Sequence, residues 1–374
     1  MRAAVIATAL FTGFLLSCGS GTSSTAPTRA TMPLISRGVP VFGSSELFPA
    51  RNAIDGDYST VWRGSIPGWI ALDVSRVPAA KRARVIVGWF NDPITSPYDH
   101  TLIGEVAYNS LRDYTVEANA ARGGTSPPPA GWVTLVRVRG NSYHSRQHLV
   151  RLKGYRWIRL SVTAGDGSPE NEDAAFNLDV YDASKGARDS WMFYGDSLTQ
   201  DGMHHRQILG QRNFSQLIAQ SRPRLYPPFE DGGTATLQSR DGAQRIAGWL
   251  RTFPGRYVGL SYGTNDANAC LSPASFYGHY VTMVRAVLKM RKVPVVPTIP
   301  WARSANVQTC APRLNARIKA LYRAFPRIVK GPDLWSYFKA HPDLIGPDDL
   351  HPTEAGYAVY RRLWANAMLA RVYR

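Results

Sequence analysis

The chain has 374 residues, 44% hydrophobic and 19% charged, a globular composition with enough apolar material for two hydrophobic cores. Its 44 Lys and Arg against 27 Asp and Glu give a formal net charge of +17, which suits nucleic acid, an anionic membrane or an acidic polysaccharide as partner. The basic residues are scattered and no nucleic-acid-binding motif accompanies them. The composition therefore argues against a nucleic-acid partner and favours a positive surface that faces anionic cell-envelope material.

The first 18 residues have the features of an export signal. Arg2 precedes an apolar stretch at 3–16 that is too short to span a bilayer as a helix. The stretch ends in LLSC at 15–18, which resembles the bacterial lipobox and implies that Cys18 is lipidated. A plain secretory signal is the alternative. Both readings predict export, either lipid-anchored at the bacterial cell envelope or secreted, with residues 1–18 as signal peptide and residues 19–36, rich in Gly, Ser and Thr, as a flexible linker.

Residues 37–184 are predicted to form a β-sandwich. Their apolar residues come in short runs separated by turn residues, with few helical patterns. The clearest strands are predicted at 68–74, 84–90, 132–138 and 155–163. Several such strands at short spacing are typical of a sandwich of two sheets.

The order of features in this region resembles the discoidin, or coagulation-factor type C, family. The similar segments are NAIDGDYSTVW at 52–62, WIALD at 69–73, YTVE at 114–117 and the strand around Trp157. The resemblance implies a jelly roll that binds glycans or anionic surfaces, and a Ca²⁺ near Asp55 and Asp57 in some members. The alternative, which we favour, is that these two aspartates accept hydrogen bonds from their own turn.

From residue 188 to 374 the pattern changes to alternating strands and helices. Ser272 followed by a proline predicts a helix start, and Thr353 predicts another. A further amphipathic helix is predicted around Leu314 to Phe325. The intervening strands are short continuous apolar runs, as buried parallel strands are. The region is therefore predicted to be an α/β domain with a parallel sheet.

Three sequence blocks in this region resemble those of the SGNH (GDSL) hydrolases, a family of serine esterases and lipases. They are GDSLTQ at 195–200, GTND at 263–266 and DDLHP at 348–352, in that order. The resemblance implies a three-layer flavodoxin-like domain over 188–374, and the hydrolysis of carboxylic esters through an acyl-enzyme.

The catalytic roles follow from the blocks and from the needs of ester cleavage. Ser197 is the predicted nucleophile at a strand-to-helix turn, and His351 is the predicted base. Asp348, three residues before the histidine, is predicted to orient the imidazole and stabilise its charged form. Asp349 is the less favoured partner. No metal or other cofactor is predicted.

The oxyanion hole is predicted from the same resemblance. It implies three donors: the Ser197 backbone N–H, the side-chain amide of Asn265 and a glycine N–H from a loop between the first and third blocks. The spacing to a following threonine selects Gly232, with Gly233 as the alternative.

Two cysteines remain after Cys18. In an exported protein Cys270 and Cys310 are more readily bridged than free. Both follow predicted strands of one parallel sheet, so a disulfide would stiffen the rim of the site; two separate buried thiols are the alternative. His204 and His205 have no ligand partners at metal spacing and are interpreted as helix-surface or rim residues.

The sequence thus predicts an exported serine esterase that removes acyl groups, most simply acetyl, from a carbohydrate. Polysaccharide or other acylated envelope material is the expected substrate, with an anionic polymer or membrane surface as a possible partner. The alternatives are a lipase or lysophospholipase, an O-acyltransferase, and a non-enzymatic glycan-binding lipoprotein. A modular arrangement would leave residues 189–374 active alone on small esters.

Overall fold

The computed structural model describes residues 33–91, 102–103, 106–107, 111–141, 143, 145–165, 173–186, 189–205 and 210–374. The predicted signal peptide, its Cys18 and most of the predicted linker lie outside the described residues. Leu34, Ile35 and Ser36, predicted as the end of that linker, are buried, and Leu34 bridges to Tyr181. The first domain therefore begins before residue 37, because these residues pair with its last strand.

The N-terminal region contains two antiparallel sheets. The first has the order β1 (Val41–Gly43), β3 (Gly68–Asp73), β10 (Trp157–Ala164), β7 (Asp113–Asn119) and β8 (Val133–Val138). The second has the order β2 (Trp62–Ser65), β11 (Asp173–Asp182), β4 (Arg84–Phe90) and β9 (Ser145–Arg151). A short helix α1 (Ala79–Arg82) precedes β4, and β5 (Leu102–Ile103) pairs with β6 (Val106–Ala107) separately.

The two sheets share one hydrophobic core. Leu72, Val116 and Leu160 of the first sheet lie in the same buried cluster as Val87 and Leu178 of the second. Alternate residues of β3, β4, β7, β10 and β11 belong to this cluster, as the period-two pattern predicts. The arrangement is compatible with the predicted β-sandwich; the likeness to discoidin domains stays a prediction.

The second domain is built on a parallel sheet. Its strands are β12 (Trp191–Gly195), β13 (Phe229–Gly233), β14 (Tyr257–Ser261), β15 (Val293–Val296) and β16 (Val329–Lys330). Their order in the sheet is β13-β12-β14-β15-β16, and all neighbours are parallel. This is the 2-1-3-4-5 order of flavodoxin-like folds, in which the crevice for a ligand lies at the carboxyl ends of the strands flanking the reversal of order.

Helices cover both faces of this sheet. They are α2 (Ser197–Met203), α3 (Phe214–Ser221), α4 (Ser239–Thr252), α5 (Thr264–Asn268), α6 (Pro273–Lys289), α7 (Ala305–Ala324), α8 (Leu334–Ala340) and α9 (Glu354–Arg371). Met192 and Tyr194 of β12 belong to one buried cluster, and Trp191 and Phe193 to another on the opposite face. The strand is apolar throughout because both of its faces are buried, which confirms the predicted α/β architecture.

Local sequence signals placed the helix starts correctly. The Ser272 hydroxyl accepts from the Ser275 N–H at the start of α6, and the Thr353 hydroxyl accepts from the Gly356 N–H at the start of α9. The helix predicted from Leu314 begins earlier, at Ala305. In the described residues, no helix is long and apolar enough to cross a membrane.

The two domains meet along two edge strands, β9 and β13. The Ser145 hydroxyl accepts from Asp231 N at 2.9 Å and donates to Asp231 O at 3.2 Å. The Gln147 N–H donates to Glu230 Oε1 at 2.8 Å, and the Gln147 side-chain amide donates to Trp191 O at 3.1 Å. An open sheet edge carries unpaired backbone groups. The first domain therefore completes the hydrogen bonding of the second at this edge.

Apolar and aromatic contacts continue the interface. The His205 ring stacks on Phe90 of the first domain and on Phe229 of the second, with ring centroids 3.5 and 3.8 Å away. His205 is 2% exposed, so its interpretation as a surface or rim residue is wrong. The physical reason is that α2 ends at Met203, and the chain beyond it turns into the junction between the domains.

A buried polar cluster links the domains at a second place. The Tyr58 hydroxyl donates to Asp179 Oδ2 at 2.6 Å, and Arg37 Nη1 lies 2.8 Å from the other oxygen of this carboxylate. The hydroxyl of Tyr226, from the second domain, lies 3.0 Å from that of Tyr58. Removing one member of such a cluster leaves a buried polar group unpaired, which costs about 1–3 kcal/mol.

Glu230, which accepts from Gln147 where β9 meets β13, makes the free energy of unfolding depend on pH. Burial raises its pKa to about 8, although the Arg146 charge, the Gln147 N–H and the Lys292 charge oppose the rise. The folded protein therefore keeps a proton that the unfolded chain releases near pH 4.5. Glu230 therefore contributes a loss of stability as the pH rises from about 4.5 to 8, with a slope approaching about 1.4 kcal/mol per pH unit for one proton.

Urea unfolding between pH 5 and 8 measures this effect in wild-type protein and in Glu230→Gln. The amide oxygen still accepts from Gln147, so the variant should lose less stability over this range. Burial also raises the pKa of Asp189 to about 6 and of Asp196 to about 7 and lowers that of His148 to about 3, so both proteins keep the combined pH dependence of these groups and differ by the Glu230 contribution. The exposed Glu46→Gln is the matched control and should follow the wild type. Parallel curves for Glu230→Gln and wild type would contradict the assignment.

Candidate active site

Ser197 lies where β12 ends and α2 begins. Asp196 is the N-cap of α2, and its carboxylate accepts from the Leu198 N–H at 3.2 Å. Ser197 is the first residue of the helix, so helix geometry gives its N–H no partner within the helix. The residue is 7% exposed. The turn therefore presents a serine hydroxyl and a backbone donor at the carboxyl edge of the sheet.

Ser197, His351 and Asp348 form one hydrogen-bonded chain. Ser197 Oγ lies 2.8 Å from His351 Nε2, and His351 Nδ1 lies 2.5 Å from Asp348 Oδ2. The other Asp348 oxygen accepts from the backbone N–H of Leu350 and of His351. Desolvation raises the pKa of Asp348, but the hydrogen bonds from His351 and Leu350 outweigh it, so the pKa lies below its ordinary value. The carboxylate is therefore ionised at neutral pH and faces the imidazole Nδ1–H.

Asp349 points elsewhere. Its carboxylate accepts from Arg303 Nε at 2.6 Å, and the same guanidinium donates to the carbonyl oxygens of Gly346 and Pro342. Ser304 N donates to Asp349 O at 2.8 Å. Arg303 therefore ties the segment that carries Asp348 to the loop after β15. Sequence reasoning missed Arg303, because an isolated arginine in a loop carries no local signal of what it holds.

Asn265 lies on α5, directly after β14. Its side-chain Nδ2 donates to Leu237 O at 3.0 Å, which leaves the second amide hydrogen for another acceptor. Gly263 has φ 138°, and a Cβ there would lie 2.5 Å from Ile299 Cγ1, so this turn requires glycine. Asp196 Oδ2 accepts from Thr264 N at 3.2 Å. The first and third sequence blocks are thus joined by a direct hydrogen bond.

Asp266 holds the neighbouring turn. Its carboxylate accepts from the N–H and hydroxyl of Ser239, at the start of α4. Ser239 Oγ also lies 3.0 Å from His279 Nδ1. Since Leu237 accepts from Asn265, these bonds fix the chain that positions the Asn265 amide.

The two candidate glycine donors occupy different surroundings. Gly232 lies inside β13, and a Cβ there would be 2.6 Å from the Tyr194 ring. Gly233 lies against α2, because a Cβ there would be 2.1 Å from Gln200 N. Gly233 N donates to Asp231 Oδ1 at 2.9 Å. The choice of Gly232 stays a prediction, while Gly233 is the glycine that packs on the helix of Ser197.

Cys270 and Cys310 form a disulfide with an S–S distance of 1.98 Å. Cys270 follows α5, and Cys310 lies in the second turn of α7 rather than in the preceding loop. Asn306 Nδ2 donates to Asn268 O beside it at 2.8 Å. The disulfide thus ties the helix of Asn265 to the segment that contains Arg303.

The side chains of Asp55 and Asp57 accept hydrogen bonds from residues of their own turn, as the favoured alternative predicted. Asp55 Oδ1 accepts from Asp57 N at 2.8 Å, and Asp57 Oδ1 accepts from Ser59 N at 2.9 Å. The Thr60 hydroxyl donates to Asp55 Oδ2. These aspartates therefore have the hydrogen bonds that turn formation requires.

Comparison with known families now defines the class of protein. Residues 193–359 match the family model described as the GDSL-like Lipase/Acylhydrolase family. This part of the chain, which contains Ser197, Asn265 and His351, is a GDSL-type lipase/acylhydrolase domain, and the protein is an ester hydrolase.

Several solved structures are similar to the chain. A lipase/acylhydrolase from Enterococcus faecalis is 18% identical over 48% of this chain and 95% of its own, with a TM-score of 0.40. A carbohydrate esterase family 3 protein from Talaromyces cellulolyticus is 19% identical over 48% and 96%, with a TM-score of 0.39. An acetyl xylan esterase from Geobacillus stearothermophilus is 16% identical over 50% and 94%, with a TM-score of 0.40. No curated protein matches the sequence.

Proposed function

We propose that the protein is an exported serine esterase that removes acyl groups, most simply acetyl, from a carbohydrate. The observation that carries the proposal is the hydrogen-bonded chain from Ser197 through His351 to Asp348, with distances of 2.8 and 2.5 Å. Nucleophile, base and orienting carboxylate in this order define covalent catalysis of acyl transfer.

The reaction follows from the positions of these groups. Ser197 Oγ attacks the acyl carbon while its proton passes to His351 Nε2, and Asp348 stabilises the imidazolium that forms. The carbonyl oxygen becomes an oxyanion, for which the Ser197 N–H, an N–H of the Gly232–Gly233 segment and the Asn265 amide are the donors. The alcohol oxygen leaves with the proton from His351. A water molecule then attacks the acyl-enzyme by the same steps in reverse and releases the acid.

Asn265→Ala tests the oxyanion hole. Loss of one preorganised donor typically lowers kcat about a hundred- to a thousandfold. KM should change little, because the bond strengthens chiefly in the transition state. Steady-state kinetics on an aryl acetate measure both constants. Asn268→Ala, three residues further along α5, is the matched control, and its kcat should stay within about threefold of the wild-type value. An effect of Asn265→Ala mainly on KM would assign the residue to substrate binding instead.

The exposure of His351 and Asp348, beside a nucleophile that is 7% exposed, favours an ester carried on a large molecule. The His351 side chain is 32% exposed and that of Asp348 is 53% exposed. A base and a carboxylate that face solvent leave room for a large alcohol group on their side of the serine, whereas a long acyl chain needs an apolar channel. The N-terminal sheets, if they form a glycan-binding sandwich, would hold the polymer beside the site. Lipidation at Cys18 would place the enzyme at the envelope.

A substrate panel tests the proposal. The panel contains aryl esters with acyl chains from two to twelve carbons and acetylated polysaccharides. The deacetylated polysaccharides are the controls, and the released acid is measured. Activity restricted to acetyl, with release from at least one polysaccharide, is the expected result. A preference for long chains would replace the proposal with a lipase or lysophospholipase.

A further inference from the structure

A cavity of about 850 Å³ opens between the two domains. Five cationic side chains line it: Arg84, Lys185, Arg256, Arg291 and Lys292. None of the described residues that line it is acidic. Its volume lies within the range of ordinary ligand sites, so it admits more than a single ion. The cavity is therefore a strongly positive recess that both domains build together.

Among the described residues, the arginine charges of the cavity are not neutralised by carboxylates. In the described part of the chain, no carboxylate lies within ion-pair distance of Arg84, Arg256 or Arg291. Lys292 is 8% exposed, and its ammonium donates to the carbonyl oxygens of Phe253 and Gly255. A concave surface with one sign of charge concentrates the field and attracts ions of the opposite sign. An anion in the cavity would thus be attracted by these arginine charges.

The cavity lies at the end of the parallel sheet opposite to Ser197. Arg256 directly precedes β14, and Lys292 directly precedes β15. Ser197 and Asn265 instead follow the carboxyl ends of β12 and β14. A five-residue strand spans about 17 Å. A ligand in the cavity therefore does not touch the catalytic serine, and only a long ligand would reach both places.

We propose that this recess binds an anionic glycan, a soluble polysaccharide that carries carboxylate or phosphate groups. The site goes beyond the proposed esterase activity, because binding there needs neither Ser197 nor an ester bond. A chain-like polyanion fits a recess between domains better than a membrane does, since a membrane-binding surface presents apolar side chains on an exposed face. Met290, 44% exposed, is the only large apolar side chain of this exposure among the described residues that line the cavity.

Titration calorimetry with the full chain at low salt tests the proposal. Oligogalacturonate is the anionic probe, a neutral xylo-oligosaccharide of equal length is its control, and inorganic phosphate tests whether a single anion suffices. The variant is Arg84→Glu/Arg256→Glu, at two exposed positions. The matched control, Arg137→Glu/Arg317→Glu, makes the same change of net charge at exposed positions on β8 and α7, neither of which lines the cavity. Thermal unfolding verifies that all forms are folded.

The expected result is binding of oligogalacturonate that weakens at least about tenfold in the cavity variant and less than about threefold in the control. Raising salt from about 0.05 to 0.5 M should weaken wild-type binding, because screening shortens the range of the charges. Equal losses in the two variants, or equal binding of the neutral oligosaccharide, would overturn the proposal. So would binding to vesicles of anionic lipid without binding to the glycan. Ester hydrolysis of an aryl acetate should be unchanged in both variants, so failure here leaves the esterase proposal standing.

Discussion

Ser197→Ala and His351→Ala should each lower kcat/KM on an aryl acetate at least about a thousandfold, since the two groups act as one unit. The double variant should be little worse than either single one for the same reason. Circular dichroism and thermal unfolding should show native structure, because Ser197 is a small residue at a turn and His351 is partly exposed. Activity above about a tenth of wild type in either single variant would remove that residue from the mechanism.

The neighbouring aspartates provide an internal control. Asp348→Asn removes the charge that faces His351 Nδ1, and its effect should approach that of His351→Ala, because the wrong imidazole tautomer is stabilised. Asp349→Asn changes the residue that contacts Arg303 and should cost far less. A larger loss in Asp349→Asn would mean that the Arg303 contact controls the geometry of the site.

A chain truncated to residues 189–374 should fail to fold stably. It should therefore lose activity even on small esters. Truncation removes Ser145 and Gln147, which bond to Asp231, Glu230 and Trp191. It also exposes the edge of β13 and the faces of Phe229 and Tyr226. Each buried polar group left unpaired costs about 1–3 kcal/mol, and several such losses approach the whole stability of a domain. This expectation reverses the modular one drawn from the sequence.

The truncation also reaches the active site through Asp231. Ser145 bonds to the backbone of Asp231, and the Asp231 carboxylate accepts from the N–H of Gly233, which packs on the helix of Ser197.

In the full chain, Gln147→Ala should lower the free energy of unfolding by about 1–3 kcal/mol, because Ser190 and Trp191 lose buried partners. The exposed Gln220→Ala is its matched control. A soluble truncated protein with wild-type activity would restore the modular account.

The features that were predicted correctly all depend on residues within short segments of the chain. The starts of α6 and α9 depend on a hydroxyl and a backbone N–H three residues apart, so short segments carry the whole signal. The apolar runs of the parallel strands depend only on burial of both faces. The three sequence blocks name the residue types that acyl transfer needs, although Ser197 and His351 are 154 positions apart.

The parts that were missed depend on contacts between distant segments. Gln147 and Glu230 are 83 positions apart, and neither stands in a motif. His205 was misassigned because its neighbours in sequence do not include Phe90 and Phe229, which enclose it. Arg303 was missed because its acceptors lie in another loop.

The sequence by itself determined the α/β architecture, the chemistry of the site and the class of enzyme, because each depends on residue types and on spacings within short segments. Only the tertiary structure decided how the domains are joined and what surrounds each catalytic group. The physical reason is that a sheet edge or a buried charge is satisfied by whichever partner the folded chain brings near. That partner is set by the packing of whole elements, which no single segment of the chain encodes.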